Sequence, residues 1–317
     1  MRRPQRVAHR TVTRVSILAI LSALAVVAPA CTPPDTPTPA PVIEVYGGQS
    51  FEFREGVRYG AQAVQNKYDV WLPLAGAPAR PLVVFIHGGF WATQDGGDRK
   101  TLPPQVKALL LSGYAVASID YRGVTQTCYA STPCSQPAIL GDVKDAIGQL
   151  AHNEAPSRVI NNKVHLVGFS AGGHLALMAA MTFGDPGYPS GSGLEVRPTT
   201  VTSIAGPTDL EQLWADSPGN LLLGAALTNY GGGYQPNNPV HSPVSQTAPN
   251  LGRTDPPINL LYGTNDELVP YNQATRMVSA ANSAGIPVTL TTVGGVNHDG
   301  MRLQVNTANL ATWLAAH

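Results

Sequence analysis

The chain has 317 residues, 43% of them hydrophobic, enough to bury one large α/β core, so disorder is not its default state. Lys and Arg balance Asp and Glu at 20 each, but five arginines stand in the first 30 residues, where there is no acid. The remainder carries 15 basic against 20 acidic residues, a net of −5 without a basic cluster, which argues against nucleic acid as a partner.

Arg2, Arg3, Arg6, Arg10 and Arg14 precede an apolar run over 15–27 that ends in Ala28-Pro29-Ala30-Cys31. A basic start, a short apolar stretch and small residues at its end read as a secretory signal over 1–30. The run is short of the ~20 residues a membrane span needs. Cys31 leaves two outcomes open: simple cleavage after Ala30, or a bacterial lipoprotein signal with lipid on Cys31. Residues 31–41, with proline at 33, 34, 37, 39 and 41, form an extended tether that does not pack. Behind a lipidated Cys31, such a tether would hold a domain clear of a membrane.

From 42 to 317, strand-like and helix-like segments alternate. Short β-rich runs lie over 67–72, 82–86, 115–119, 164–167, 201–204, 258–262 and 288–293. Helices are predicted over 105–112, 139–152, 171–181, 272–284 and 302–315. In the second, Ile139, Val143, Ala146, Ile147 and Leu150 recur at helical spacing and make one apolar face. Alternation of this kind predicts one α/β domain with a mostly parallel sheet between helices on both faces. Residues 210–257 are rich in Gly, Pro and Asn and read as an irregular, cap-like region. Cys128 and Cys134 bracket Tyr-Ala-Ser-Thr-Pro, and in an exported chain that spacing predicts a disulfide. Two cysteines without a flanking His or Asp pair make a poor metal site.

Three stretches carry chemistry. Gly168-Phe169-Ser170-Ala171-Gly172 joins the apolar run at 164–167 to a helix, the context of a nucleophile elbow. Side chains at Gly168 and Gly172 would collide there. The strand over 82–86 ends in His87-Gly88-Gly89-Phe90-Trp91, whose glycine N–H groups can approach a developing oxyanion. The partner donor expected is the N–H of Ala171. A serine also needs a base oriented by a carboxylate. Of eight histidines, His9 leaves with the signal and His87 lies in the glycine loop. His165 begins a strand, His174 sits one turn beyond Ser170, His152 and His317 are at helix ends, and His241 is in the irregular region. His298 remains, in a loop after the last strand. The acid should precede it. Asp266, just past the strand over 258–262, is favoured over Asp209, Glu267 and Asp299. Asp209 is expected to cap the following helix.

In these motifs the chain resembles the α/β-hydrolase superfamily. It is similar to the carboxylesterases related to hormone-sensitive lipase, and most to their feruloyl-esterase-like branch. The resemblance runs from about Tyr59 to the C-terminus. It rests on Tyr68-Asp69-Val70-Trp71-Leu72-Pro73, the His87–Trp91 stretch, Asp120-Tyr121-Arg122, the Ser170 elbow, Asp266 and His298, in that order. It implies a serine hydrolase of carboxylic esters, exported if the signal over 1–30 is read with it, with Ser170, His298 and Asp266 as triad, and Gly88, Gly89 and Ala171 as oxyanion donors. No cofactor or metal is implied, and the partner is a small-molecule ester. Asp120-Tyr121-Arg122 is implied to be structural support. The Cys128–Cys134 loop departs from relatives, which often carry Leu-Ala-Pro there. Amide, formamide or peptide hydrolysis uses the same constellation and stays open. A non-catalytic surface binding protein is the reading from another class, and such scaffolds usually lose the serine, the histidine or the glycines.

Overall fold

In the computed structural model the described residues are 40–61, 65–92, 98–129, 132–153, 157–232, 241–247 and 255–317, all within the compact unit Pro33–His317. The expected signal, Cys31 and nearly all of the expected tether lie outside them.

The chain opens with β1 (Val42–Tyr46) and β2 (Gln49–Arg58), an antiparallel hairpin in which Tyr46 faces Gln49 across Gly47-Gly48. Both glycines have positive φ, as a two-residue hairpin turn requires. The sequence reading passes over this pair because β1 leaves Val42, Ile43 and Val45 exposed and β2 is largely polar. Next come β3 (Lys67–Leu72), β4 (Arg80–Ile86), the short α1 (Pro104–Lys107) continued by a 3₁₀ turn, and β5 (Ala115–Ile119). A small ribbon, β6 (Thr127–Tyr129) and β7 (Thr132–Pro133), precedes α2 (Gln136–Asn153). Then follow β8 (Val159–Phe169), α3 (Ala171–Met181) and β9 (Thr200–Ile204). The predicted strand over 164–167 thus extends back through Asn161-Asn162-Lys163, a polar run that hides it from an apolarity search.

Within 210–257 the described residues include three helices: α4 (Leu210–Asp216), α5 (Leu221–Tyr230) and α6 (Pro243–Gln246). Asp209 and Asn220 cap the first two by accepting from Gln212 N–H and Leu223 N–H. The chain ends with β10 (Ile258–Gly263), α7 (Asn272–Ser283), β11 (Val288–Val293), α8 (His298–Met301) and α9 (Thr307–Ala315). The helix predicted over 302–315 begins only at Thr307, because Asn306 caps it through Asn309 N–H.

Nine strands make one sheet in the order β1-β2-β3-β5-β4-β8-β9-β10-β11. Pairing is antiparallel as far as β5 and parallel from β5 to β11. Side chains alternate between the two faces, as the pleat demands. Leu82, Val84 and Ile86 enter one core with α2, α3 and α7, whereas Val83 and Phe85 enter the other with Leu109, Leu110, Leu310 and Leu314. Helices therefore cover both faces. Parallel pairing brings the C-terminal ends of β4, β8, β10 and β11 to one edge, and that edge carries the site. Among the described residues no helix is long and apolar enough to cross a membrane.

Candidate active site

β8 ends at Phe169 and α3 begins at Ala171, so Ser170 makes the turn alone. Its φ of 54° and ψ of −125° are costly for any residue bearing a Cβ. The turn is held by Ser170 N–H donating to Ile204 O (2.9 Å) and His174 N–H donating to Ser170 O (3.1 Å). A Cβ at Gly168 would lie 2.1 Å from the Gly172 carbonyl oxygen, and one at Gly172 would lie 2.1 Å from that of Ile86. The helix can approach the strands this closely only with glycine at both positions. What the strain achieves is exposure of the Ser170 hydroxyl above the sheet edge.

His298 opens α8 in the loop after β11, and its Nε2 lies 2.9 Å from Ser170 Oγ. Its Nδ1 lies 2.7 Å from Asp266 Oδ2. The other oxygen of Asp266 accepts from Leu268 N–H (3.0 Å) and Val269 N–H (2.8 Å), which fixes the carboxylate in the turn after β10. The carboxylate can only accept, so the hydrogen-bond network assigns the proton to Nδ1 and leaves Nε2 to receive one from Ser170. Three residues 128 and 32 positions apart in sequence therefore form one chain of hydrogen bonds. The competing acids lie elsewhere. Asp209 caps α4 and pairs with Arg276, while Glu267 and Asp299 are exposed.

Gly88 packs against Ser170: a Cβ there would come within 2.9 Å of both Ser170 Cβ and Phe169 O. Gly89, Phe90 and Trp91 follow with φ of 111°, 56° and 55°, so the loop winds left-handed through two residues that disfavour it. Side chains hold it there. His87 Nδ1–H donates to Gly88 O at 2.7 Å, and because the peptide is planar this fixes the direction of the Gly89 N–H. His87 stacks on Tyr121, whose hydroxyl donates to His87 O. Beneath them Arg99 bridges Asp69 (2.7 Å) and Asp120 (2.6 Å). Burial pushes the Asp120 carboxyl up, against the pull of Arg99. Asp120 and Tyr121 are thus supports of the loop, while Arg122 pairs with Asp142. Ala171 is the first residue of α3, so its N–H has no acceptor within the helix.

A second support did not emerge from the sequence. Trp91 Nε1–H donates to His174 Nδ1 (3.2 Å), and His174 Nε2–H donates to His241 O (2.8 Å). Tyr230 of α5 stacks on Trp91 and meets the edge of His174. Burial drives the His174 pKa down to about 3, so the ring is neutral. Its one legible signal was a lone polar ring in an otherwise apolar or small-residue helix, one turn from Ser170.

Cys128 and Cys134 are joined by a disulfide, and Arg122 Nη1 lies 3.6 Å from the Cys128 sulfur. Among the described residues no cluster of His, Cys, Asp or Glu could hold a metal ion. Chemically the arrangement offers a hydroxyl whose proton can be withdrawn, next to backbone donors at a helix N-terminus.

Comparison with known proteins agrees with the fold. The chain is similar to the esterase LipQ of Mycobacterium tuberculosis, 26% identical over 72% of this chain and 52% of LipQ. To the esterase LipC of the same organism it is 28% identical, over 88% of this chain and 66% of LipC. The chain spans about half the length of LipQ and about two thirds of LipC. Among solved structures, a truncated carbohydrate esterase from gut microbiota superposes with a TM-score of 0.69 at 20% identity, covering 88% of this chain and 99% of that one. That likeness shows the α/β-hydrolase fold. The BD-FAE family model matches residues 68–280, about two thirds of the sequence, and the chain belongs to that family.

Proposed function

We propose that the chain is an exported serine hydrolase of small-molecule carboxylic esters. The observation that carries this is the chain of hydrogen bonds from Ser170 Oγ through the His298 ring to Asp266. Esterase names among the relatives support the same class of reaction. In the first step Ser170 Oγ attacks the ester carbonyl carbon as its proton passes to His298 Nε2. Asp266 holds the imidazole in the accepting tautomer and stabilises the imidazolium that forms. The carbonyl oxygen, now an oxyanion, is received by the N–H groups of Gly88, Gly89 and Ala171. His298 then gives its proton to the leaving alcohol, and the acyl group stays on Ser170. Water, deprotonated by the same imidazole, attacks the acyl-enzyme and releases the acid. The first 41 residues complete the reading as an export signal and a tether, with Cys31 as the point of lipid attachment.

The deciding experiment is Ser170→Ala, assayed with p-nitrophenyl acetate and a fluorescent serine-directed phosphonate. Covalent labelling and ester turnover should both vanish while the circular-dichroism spectrum is retained. Labelling of the variant at another serine, with turnover intact, would sink the assignment.

A further inference from the structure

Leu223 borders two separate cavities. On one side is the space above the nucleophile, about 20 Å³, lined by Phe90, Trp91, Ser170, Leu223, Val269 and His298. Room of that size admits about one water-sized group beyond the reacting atoms. On the other side lies a groove of about 390 Å³ between α4 and α5, lined by Trp214, Pro218, Leu221, Leu223, Ala225 and Leu227. None of its described lining side chains carries a charge, and Ser217, Asn220 and Thr228 are the polar ones among them. The rim is apolar too, since Leu221 and Leu222 are 85% and 77% exposed.

The helix geometry explains why Leu223 stands between the two. At 100° per residue, Leu223, Ala226, Leu227 and Tyr230 point to the core, while Leu221, Leu222 and Ala225 point out. Asn220 Oδ1 accepts the Leu223 N–H at 3.0 Å, so the cap of α5 fixes the backbone that carries this side chain. Tyr230, at the far end of the same face, is stacked on Trp91. Both ends of the helix are therefore pinned, and Leu223 is buried.

We infer that Leu223 is a partition that restricts the Ser170 site to esters with at least one short arm, closing it off from an apolar groove that could hold a longer chain. The inference rests on the esterase reading and adds the substrate class: short-chain esters, such as acetates to butanoates, with the length limit set by one side chain. A second residue tests it from the far side of the wall. Ala225 is exposed and lines the groove, so a large side chain there occupies the groove in which a longer chain would lie once Leu223 is shortened.

The experiment lengthens the two arms separately, with p-nitrophenyl esters from acetate to decanoate and alkyl acetates from methyl to decyl. In one series the parent should lose about 100-fold in kcat/KM between the four-carbon and eight-carbon members, because a chain that meets a packed wall loses binding at each added methylene. Leu223→Ala should cut that loss below about tenfold while acetate turnover persists, and Leu223→Ala/Ala225→Trp should bring the limit back. Leu223→Val, the milder truncation, should fall between and covers the case in which the alanine variant does not fold. A parent that takes octanoate and octyl esters as well as acetate and methyl esters overturns the partition. So does an unchanged profile in both series for folded Leu223 variants. Absence of turnover of both p-nitrophenyl acetate and methyl acetate in the parent overturns the esterase reading itself, and the partition with it.

Discussion

Trp91 and His174 are hydrogen-bonded, indole N–H to imidazole Nδ1, at 3.2 Å, which joins the loop after β4 to the helix that Ser170 opens. The two elements that supply the N–H groups of Gly88, Gly89 and Ala171 are thereby fixed to each other in the interior. An oxyanion site works only if its donors are aimed before the charge develops. Trp91→Phe removes the donor, keeps the ring stack on Tyr230 and leaves His174 Nδ1 unpaired. We expect kcat to fall about tenfold with KM little changed, since only the charge-developing state feels the misalignment. Affinity for a trifluoromethyl ketone, which mimics that state, should fall in step, while a planar product inhibitor binds as before. Equal losses for both inhibitors would reduce the pair to a packing role.

His298→Ala should lower turnover about as far as Ser170→Ala, because members of a triad act as a unit. Asp266→Asn should be milder than either. Asp209→Asn should retain most activity and, because asparagine caps a helix as well as aspartate does, lose only the half-exposed ion pair with Arg276, at most about 1 kcal/mol of stability. Steady-state kinetics and urea unfolding on the same four proteins separate these outcomes. Turnover abolished by Asp209→Asn but not by Asp266→Asn would move the acid.

Two buried histidines should make the fold acid-sensitive. Burial lowers His174 from 6.5 to about 3 and His165 from 6.5 to about 4. Below pH 6.5 the unfolded chain binds protons that these rings in the folded chain refuse, so stability falls as the pH drops from 6.5 towards 4 and 3. At pH 5 each ring accounts for about 2 kcal/mol of that loss. Urea unfolding of the parent and of His174→Phe at pH 7.5 and pH 5 measures it. The variant should show the smaller difference between the two pH values, although it is the less stable protein at pH 7.5.

The Cys128–Cys134 bridge closes a loop with a sequence separation of 6. So short a loop should contribute about 2 kcal/mol through the unfolded chain. Urea midpoints with and without dithiothreitol should differ accordingly, and Cys128→Ser/Cys134→Ser should match the reduced parent. Identical midpoints would show that the bridge does not form in the protein as made.

Under the proposed lipidation, Cys31→Ser should move the protein from the membrane to the soluble fraction, because two acyl chains would anchor firmly where none remains. Equal solubility of parent and variant in a cell fractionation excludes the lipid.

What the sequence determined by itself was whatever local chemistry dictates. Gly168 and Gly172 announced a turn too tight for any Cβ. The apolar runs at 82–86 and 258–262 announced strands covered on both faces, and Asp209 announced the cap of α4. Each is visible because its physical cause lies within a few residues. The paired hairpin at the sheet edge and the first half of β8 were not legible, since their strands are held by neighbours rather than by an apolar pattern. Sequence context favoured Asp266 as the acid, and tertiary structure decided that it meets His298. Asp266 and Glu267 are adjacent and chemically equivalent, yet only one points along the turn that Leu268 and Val269 close. It also decided that His174 is a buried support and that His87 orients a glycine peptide, because a histidine's role is set by what faces its two ring nitrogens. Those partners, Trp91 and His241 for one ring and Gly88 for the other, come from different elements or from a loop bend that spacing along the chain does not encode.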